Sequence, residues 1–306
     1  MPPGSSGYDN PDELMADAPP AWRPQGTPVT VGAASFIPPE GWEITLYSDG
    51  VAARSANDGG GRQCEIFVLE PRPAADGEAR YQQVYDAAQA LFPAGTVLTD
   101  HSGGADWMRG RWRGDSGRGF DAFGLNLSAN QETVDVLPML ADFAGTAVPV
   151  VVIEPRAGSW DCIGPTGDFG LEVANVFHSL TLEGASHRSA SLAEEVVGKW
   201  FSSDGVTGSL YVFGANGQYI DAGAHGGVVE TSPGEWRDVY ATWSGDGRYA
   251  LVQDVLGMFP NDDAAQSRYV RILDWSDGQG GWSRRFCWIA AYGGSPYTHC
   301  FELQEQ

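Results

Sequence analysis

Basic side chains are scarce in this chain of 306 residues. Lysine occurs once, at Lys199, and 40 acidic residues outnumber the 18 basic ones, which gives a formal net charge of -22 at pH 7. A surplus of negative charge repels nucleic-acid phosphates and anionic lipid headgroups. We therefore expect no nucleic-acid partner and no binding to acidic membranes.

Long apolar runs are also missing. No run approaches the about 20 apolar residues that a membrane-spanning helix needs, so no membrane span is expected. Residues 1–27 are rich in Pro, Gly, Ser, Asp and Ala and are expected to form a disordered tail. They lack the charged and apolar regions of a signal peptide. Two interpretations remain open: Met1 begins a cytoplasmic protein, or it replaces a leader that was removed from a secreted one.

Motifs that gather catalytic or metal-binding groups are absent as well. The chain contains no Gly-x-Ser-x-Gly and no Cys-x-x-Cys, and its five histidines are scattered without paired spacing. Gly59-Gly60-Gly61 precedes an expected strand rather than a helix, which is the wrong context for a phosphate-binding loop. We expect no catalytic residue, no metal and no cofactor. An enzyme whose site is assembled from dispersed residues remains a third possibility.

The four cysteines carry positional information. Gly293-Gly294 is a turn signal between two β-rich runs, and a hairpin centred there places Cys287 opposite Cys300. The same register creates a charge pair and an aromatic pair, Arg285 with Glu302 and Phe286 with Phe301. We interpret Cys287 and Cys300 as a cross-strand disulfide, with two free buried thiols as the alternative.

Cys64 and Cys162 would then form the second disulfide. An even cysteine count with one plausible pair favours an oxidising compartment. The expected location is therefore periplasmic or secreted, in what we take to be a bacterial protein, and a cytoplasmic location is the alternative.

The chain is expected to have two domains. Apolar residues make up 42% of it and aromatic residues 11%, enough for a sizeable core. Residues 184–190 are small and polar and are interpreted as a linker between domains at 28–183 and 191–306. In the first domain, strands precede an amphipathic helix at 77–92, and further strands precede a closing helix at 169–180. This order predicts an α+β class, an antiparallel sheet with helices packed on it.

Two segments of the first domain suggest a family. Phe36-Ile-Pro-Pro-Glu-Gly-Trp42 opens it and Phe177-His-Ser-Leu180 lies in the closing helix. With the order of elements, these segments resemble the PsbP-like fold of small α+β domains over about residues 28–183. The resemblance implies an interaction domain rather than an enzyme.

The second domain is expected to be all-β. Its short strands follow one another in sequence, and Asn216-Gly217 and Asp246-Gly247 are interpreted as hairpin turns between them. A chain of about eight such strands removes its exposed edges by closing on itself. We therefore predict an eight-stranded up-and-down β-barrel.

The opening of this domain resembles lipocalin-like barrels. A short helix precedes Gly198-x-Trp200, and Phe213-x-x-Asn216-Gly217-x-Tyr219 follows. The resemblance covers about residues 191–306 and implies that Trp200 plugs the closed end of the barrel. The segment is shorter than a full lipocalin, which argues against a deep ligand cup.

The candidate binding residues lie in two places. Arg109, Arg111 and Arg113 share one face of an expected strand and form either an anion or partner site or an ordinary ladder with neighbouring acids. In the barrel, the hairpin register groups an inward-facing set of candidate ligand residues: Arg284, Phe286, Trp288, His299 and Phe301. An inward arginine invites a ligand carboxylate, unless it lies at the rim and extends to water.

These patterns favour a non-catalytic two-domain binding protein. The barrel would hold a small lipophilic or anionic molecule, or its surface would engage a protein partner. The alternative is a cytoplasmic adaptor or chaperone that acts through the first domain. We expect large aromatic side chains to fill most of the barrel and to leave a shallow mouth.

Overall fold

The computed structural model describes residues 15–16, 26–56, 63–100, 112–115, 120–130, 133–155, 171–185, 192–203, 207–232, 235–252, 255–276, 282–292 and 295–305. Strands dominate both halves. The first half contains β1 (Val29–Val31), β2 (Ala34–Phe36), β3 (Glu43–Leu46), β4 (Gly50–Arg54), β5 (Glu65–Leu69), β6 (Arg72–Pro73), α1 (Gly77–Gln89), β7 (Thr99–Asp100), β8 (Trp112–Asp115), β9 (Asp121–Gly124), β10 (Leu127–Ala129), β11 (Val134–Asp142), β12 (Thr146–Pro155), α2 (Leu171–Ser179) and β13 (Thr181–Leu182).

The main sheet of the first half is antiparallel. Strands pair in the order β3, β4, β5, β12, β11, β9 and β8, while β1, β2 and β13 form a small separate sheet. Both faces of this sheet are buried, as strand β12 shows. Its residues Val148, Val150 and Val152 pack in one core cluster, and Val151, on the opposite face, packs in another. Helix α2 lies in the first cluster and α1 in the second.

The second half contains one short helix and eight strands: α3 (Leu192–Glu195), β14 (Gly198–Ser203), β15 (Thr207–Phe213), β16 (Gln218–Ser232), β17 (Glu235–Val252), β18 (Val255–Pro260), β19 (Gln266–Ser276), β20 (Trp282–Tyr292) and β21 (Ser295–Glu305). Each strand pairs antiparallel with the next, and β14 pairs with β21. The strands therefore form a closed eight-stranded antiparallel barrel, as predicted.

One of the two predicted barrel turns is wrong. Asn216-Gly217 does form the turn between β15 and β16, where Gly217 has a φ of 72°. Asp246-Gly247 instead lies inside β17, which runs unbroken to Val252. A Cβ on Gly247 would lie 2.3 Å from the carbonyl oxygen of Phe259, so this glycine permits a close approach of β18 rather than a turn.

The predicted hairpin register is confirmed. Strands β20 and β21 pair with Cys287 opposite Cys300, and the two sulfurs form a disulfide. The Arg285 Nη2 lies 3.3 Å from Glu302 Oε1, so the predicted charge pair is present. Cys64 is also disulfide-bonded, and Cys162, its predicted partner, lies outside the described residues.

The two halves share a sheet and a core. Strand β8 of the first half pairs with β19 of the barrel, with Arg113 opposite Asp274. Cys287 is fully buried and packs in the cluster that contains Phe177 of α2. The boundaries at 28–183, 184–190 and 191–306 stay a prediction, but strand pairing across them shows that the halves are not linked by the chain alone.

Two further features concern the chain as a whole. Of the predicted tail, the structure describes residues 15–16, which are helical, together with residues 26–27, and the rest lies outside the described part. Met15 contacts the barrel, because a Cβ on Gly257 would lie 2.5 Å from its sulfur. Among the described residues, no helix is both long and apolar enough to cross a membrane.

Candidate binding site at the barrel mouth

Large side chains fill the barrel. Trp200 enters from the end covered by α3, and its indole Nε1 donates a hydrogen bond of 2.7 Å to the carbonyl oxygen of Val196. Phe213 and Phe286 pack next to it with ring centroids 5.6 Å apart, and all three rings are at most 1% exposed. The closed end is therefore a packed aromatic core, and space for a ligand has to be sought at the other end.

Arg284, the predicted anion-binding residue, is paired within the protein. Its Nε and Nη2 bind the two carboxylate oxygens of Asp274 at 2.7 and 3.1 Å, and its Nη1 lies 3.4 Å from Glu195 of α3. The hydrogen bond to Asp274 raises the pKa of Arg284 further. Since two carboxylates already neutralise this cation, the argument that it needs a ligand carboxylate loses its basis.

The other predicted barrel residues lie together, as the register implies. Phe286, Trp288 and Phe301 are buried, with the Trp288 and Phe301 centroids 4.7 Å apart. His299 is partly exposed and lies 4.5 Å from Phe301 between ring centroids. These rings form the wall of the core, with His299 nearest the open end.

A cation that the sequence analysis missed lies on this wall. The guanidinium carbon of Arg268 is 4.2 Å from the centroid of Trp288, a cation–π contact, and the same side chain bonds Gln266. Arg268 was missed because its inward direction depends on the pairing of β18 with β19, which no local motif fixes.

The arginine stripe cannot be placed as a whole. Arg109 and Arg111 lie outside the described residues, and Arg113 lies in β8 opposite Asp274 of the barrel. This strand takes part in the junction of the two halves, and both interpretations of the stripe stay predictions.

A cavity of about 320 Å³ opens at the mouth, between β15, β16, β17, β18 and the loop that follows β18. Its wall combines aromatic rings, a thioether and carboxylates. These groups belong to Tyr211, Tyr219, Asp221, Met258, Asp262 and Asp263. Sequence reasoning named Tyr219 only as part of the motif that opens the barrel and missed the other five. The inward alternation of Tyr219 and Asp221 along β16 was readable, but their meeting with Asp262 depends on where β17 ends.

Burial and mutual repulsion act on the acidic side of this cavity. The pKa of Asp221 is raised, first because the side chain is partly removed from water and then because the carboxylates of Asp262 and Asp246 repel its charge. Burial also raises the pKa of Tyr219 above its ordinary value. Both groups are therefore biased towards their neutral forms.

Tyr219 is the most enclosed polar group of the wall. Only 2% of its surface is exposed, and within the described part of the chain its hydroxyl has no hydrogen-bond partner. The neighbouring Tyr249 differs, because its hydroxyl donates to the carbonyl oxygen of Gly214 at 2.9 Å and burial raises its pKa to about 12. An unpaired hydroxyl on the cavity wall leaves a hydrogen bond available to a ligand.

A second hollow of about 680 Å³ lies along the outer side of β15, β16 and β17. It shares Tyr219, Ser244 and Gly245 with the mouth cavity, so the two hollows are adjacent. Ile220, which is 55% exposed, lies on its floor. Among the residues that the structure describes, no cluster of His, Cys, Asp and Glu side chains is arranged to hold a metal ion.

Comparison with known proteins identifies no relative. The chain matches no family model, and neither a curated protein nor a solved structure shows significant similarity to it.

Proposed function

We propose that this chain is a non-catalytic binding protein that holds a small molecule at the open end of its β-barrel. The observation that carries the proposal is the division of the barrel into a packed aromatic end and a mouth with a cavity of about 320 Å³, whose wall presents the unpartnered hydroxyl of Tyr219. The wall of this cavity is mainly polar, and polar groups placed in a concave site fix the orientation of a small molecule.

The likeness to lipocalin-like barrels supports this proposal. Gly198-x-Trp200 follows a short helix, and Trp200 closes one end of the barrel, which is the role that the resemblance implies. The mouth then lies at the opposite end. A shallow site suits a barrel shorter than a lipocalin, because its interior has no room for a deep cup.

For the first half we propose a PsbP-like α+β domain. The antiparallel sheet with α1 and α2 packed on it supports this class. The fold implies interaction rather than chemistry, and its pairing with β19 suggests that it holds the barrel in a fixed orientation.

A periplasmic or secreted location belongs to the same proposal. The buried disulfide between Cys287 and Cys300, together with the bonded Cys64, supports an oxidising compartment, because cytosolic thiols are kept reduced.

The ligand-binding role is tested by blocking the mouth. Gln266 lines the cavity from the inner face of β19, where it pairs with the core residue Met258, whereas the exposed Thr242 does not line it. Native mass spectrometry of protein purified gently from its native host is expected to show a bound small molecule in the unmodified chain and in Thr242→Trp, and none in Gln266→Trp. A molecule retained by Gln266→Trp, or none in the unmodified chain, contradicts the proposal.

A further inference from the structure

The mouth cavity carries a surplus of negative charge. Asp221, Asp262 and Asp263 line it, and among the described residues none of these carboxylates forms an ion pair with an arginine or lysine. Asp263 accepts a hydrogen bond of 2.7 Å from the backbone nitrogen of Ala264. Asp262 and Asp263 are exposed, and the charge of Asp262 helps to raise the pKa of the partly buried Asp221, an effect that a bound cation would relieve.

The positive groups nearby do not cancel this charge. The charge of Arg268 reaches the wall, because it lowers the pKa of Tyr219. The guanidinium itself is stacked on Trp288 and bonded to Gln266. The charged groups that act on Asp221 are Asp262 and Asp246, and both are acidic. The field inside the cavity is therefore negative, and an anionic ligand is disfavoured there.

The apolar part of the wall selects among cations. Tyr211 is the partly exposed ring of the wall, whereas Tyr219 and Met258 also line the cavity but are only 2% and 4% exposed. Aromatic faces attract organic ammonium groups, whereas a small hard cation prefers a cage of oxygen ligands. The hydroxyl of Tyr219 adds an oxygen acceptor that has no protein partner in the described chain and is open to the cavity, although the residue as a whole is only 2% exposed.

We infer that the ligand of the barrel mouth is a small organic amine bound as its ammonium cation, held by Asp221 and Asp262 and by the hydroxyl of Tyr219. This inference rests on the proposed function and specifies its ligand class. It replaces the lipophilic or anionic molecule that the sequence suggested. The cavity of about 320 Å³ limits the bound portion to a compact group, such as one ring with an aminomethyl arm.

Three probes of matched shape separate the ligand classes. Benzylamine is a cation at neutral pH, benzyl alcohol is its neutral counterpart and benzoate its anionic one. Titration calorimetry on the full chain is expected to show one benzylamine per chain, bound at least about tenfold more tightly than either of the other two. Equal or stronger binding of benzyl alcohol or benzoate overturns the inference, as does displacement of benzylamine by calcium chloride at one ion per chain.

Variants show whether binding occurs at the mouth. Asp221→Asn is expected to weaken benzylamine binding about tenfold, because it removes a charge-assisted hydrogen bond. Tyr219→Phe keeps the ring and is expected to weaken it about threefold to tenfold through loss of the acceptor oxygen. The control is Asp49→Asn, which removes the same charge from an exposed turn of the first half and should leave affinity unchanged. An equal loss of benzylamine affinity in Asp49→Asn and Asp221→Asn would mean that the net charge of the protein alone attracts benzylamine. That result would overturn the assignment of the site to the mouth.

The inference and the proposed function fail in different ways. If the molecule lost from Gln266→Trp proves to be neutral or anionic, the binding function stands and the amine inference is wrong. If Gln266→Trp retains its molecule while benzylamine shows no preference over its counterparts, both are wrong.

Discussion

The imidazole of His178 in helix α2 packs against the ring of Tyr269 in barrel strand β19, with 4.3 Å between the ring centroids. Tyr269 is 4% exposed, so the contact is buried at the junction of the two halves. Strand β18 pairs with β19 only as far as Tyr269. Beyond that residue, the same edge of β19 pairs with β8. The two halves therefore meet through packing and through backbone hydrogen bonds.

This junction predicts the result of cutting the chain. Proteolysis between Ala185 and Ala190 is expected to leave one particle of unchanged size, because the β8–β19 pairing and the buried surface around Cys287 do not depend on the linker. Size-exclusion chromatography of the nicked chain under native conditions measures this. Separation into two folded fragments would show that each half is independent, as the linker alone suggests.

The disulfide of the β20–β21 hairpin is expected to stabilise the fold. It closes a loop with a sequence separation of 13. Replacement of both Cys287 and Cys300 by alanine should lower the free energy of unfolding by about 3 kcal/mol, on the loop-entropy argument. Urea denaturation followed by tryptophan fluorescence checks this value. A double variant as stable as the parent chain would mean that the hairpin is held by its other contacts.

Arg284 is expected to act on stability and not on ligand binding. Arg284→Met removes the partner of Asp274, whose side chain is 14% exposed, and should lower the free energy of unfolding by about 1–3 kcal/mol. The further change Asp274→Leu should recover part of that loss, because the more buried of the two carboxylates that lost Arg284 is then removed. Urea denaturation gives both values. Loss of a bound small molecule in Arg284→Met, with stability unchanged, would restore the anion-binding interpretation of this residue.

Asp221 is expected to cost stability at neutral pH. Its pKa is raised from 3.8 in the folded protein by burial and neighbouring carboxylates, so the folded state holds its proton more strongly than the unfolded state does. Stability therefore falls as pH rises through the interval between 3.8 and the raised value. Asp221→Asn should unfold at a higher urea concentration than the parent chain at pH 7.

The advantage of Asp221→Asn should shrink as the pH is lowered towards 3.8. The pH series of urea midpoints for Asp221→Asn and for the parent chain is the measurement. If Asp221 is retained for ligand binding and not for stability, Asp221→Asn should both stabilise the fold and weaken benzylamine binding. A variant less stable than the parent at pH 7 would mean that Asp221 supports the fold.

The parts of this fold that the sequence predicted depend on local rules. Gly293-Gly294 sets the register of one hairpin, and that register fixes Cys287 opposite Cys300 without any knowledge of the rest of the chain. Strand count and closure were also predictable, since consecutive short strands close into a barrel. The error at Gly247 has a physical cause, because a glycine needed for a close approach has the same sequence signature as one needed for a turn.

The mouth was beyond prediction because it depends on distant pairings. Tyr219 and Asp221 meet Met258 only because β17 continues past Gly247 and turns back at Val252. The predicted turn at Asp246-Gly247 would have shifted every residue of the following strand. The pairing of β8 with β19 joins segments more than 150 residues apart, and no pattern within either segment indicates it.

The central claim is that a small molecule occupies the mouth of the barrel, and a crystal structure of protein purified from its native host without dialysis tests it most directly. The account predicts electron density for a compact molecule in the cavity, with a polar atom within hydrogen-bond distance of both the Tyr219 hydroxyl and the Asp221 carboxylate. A cavity that holds only water, or a ligand bound elsewhere on the chain, would contradict the account.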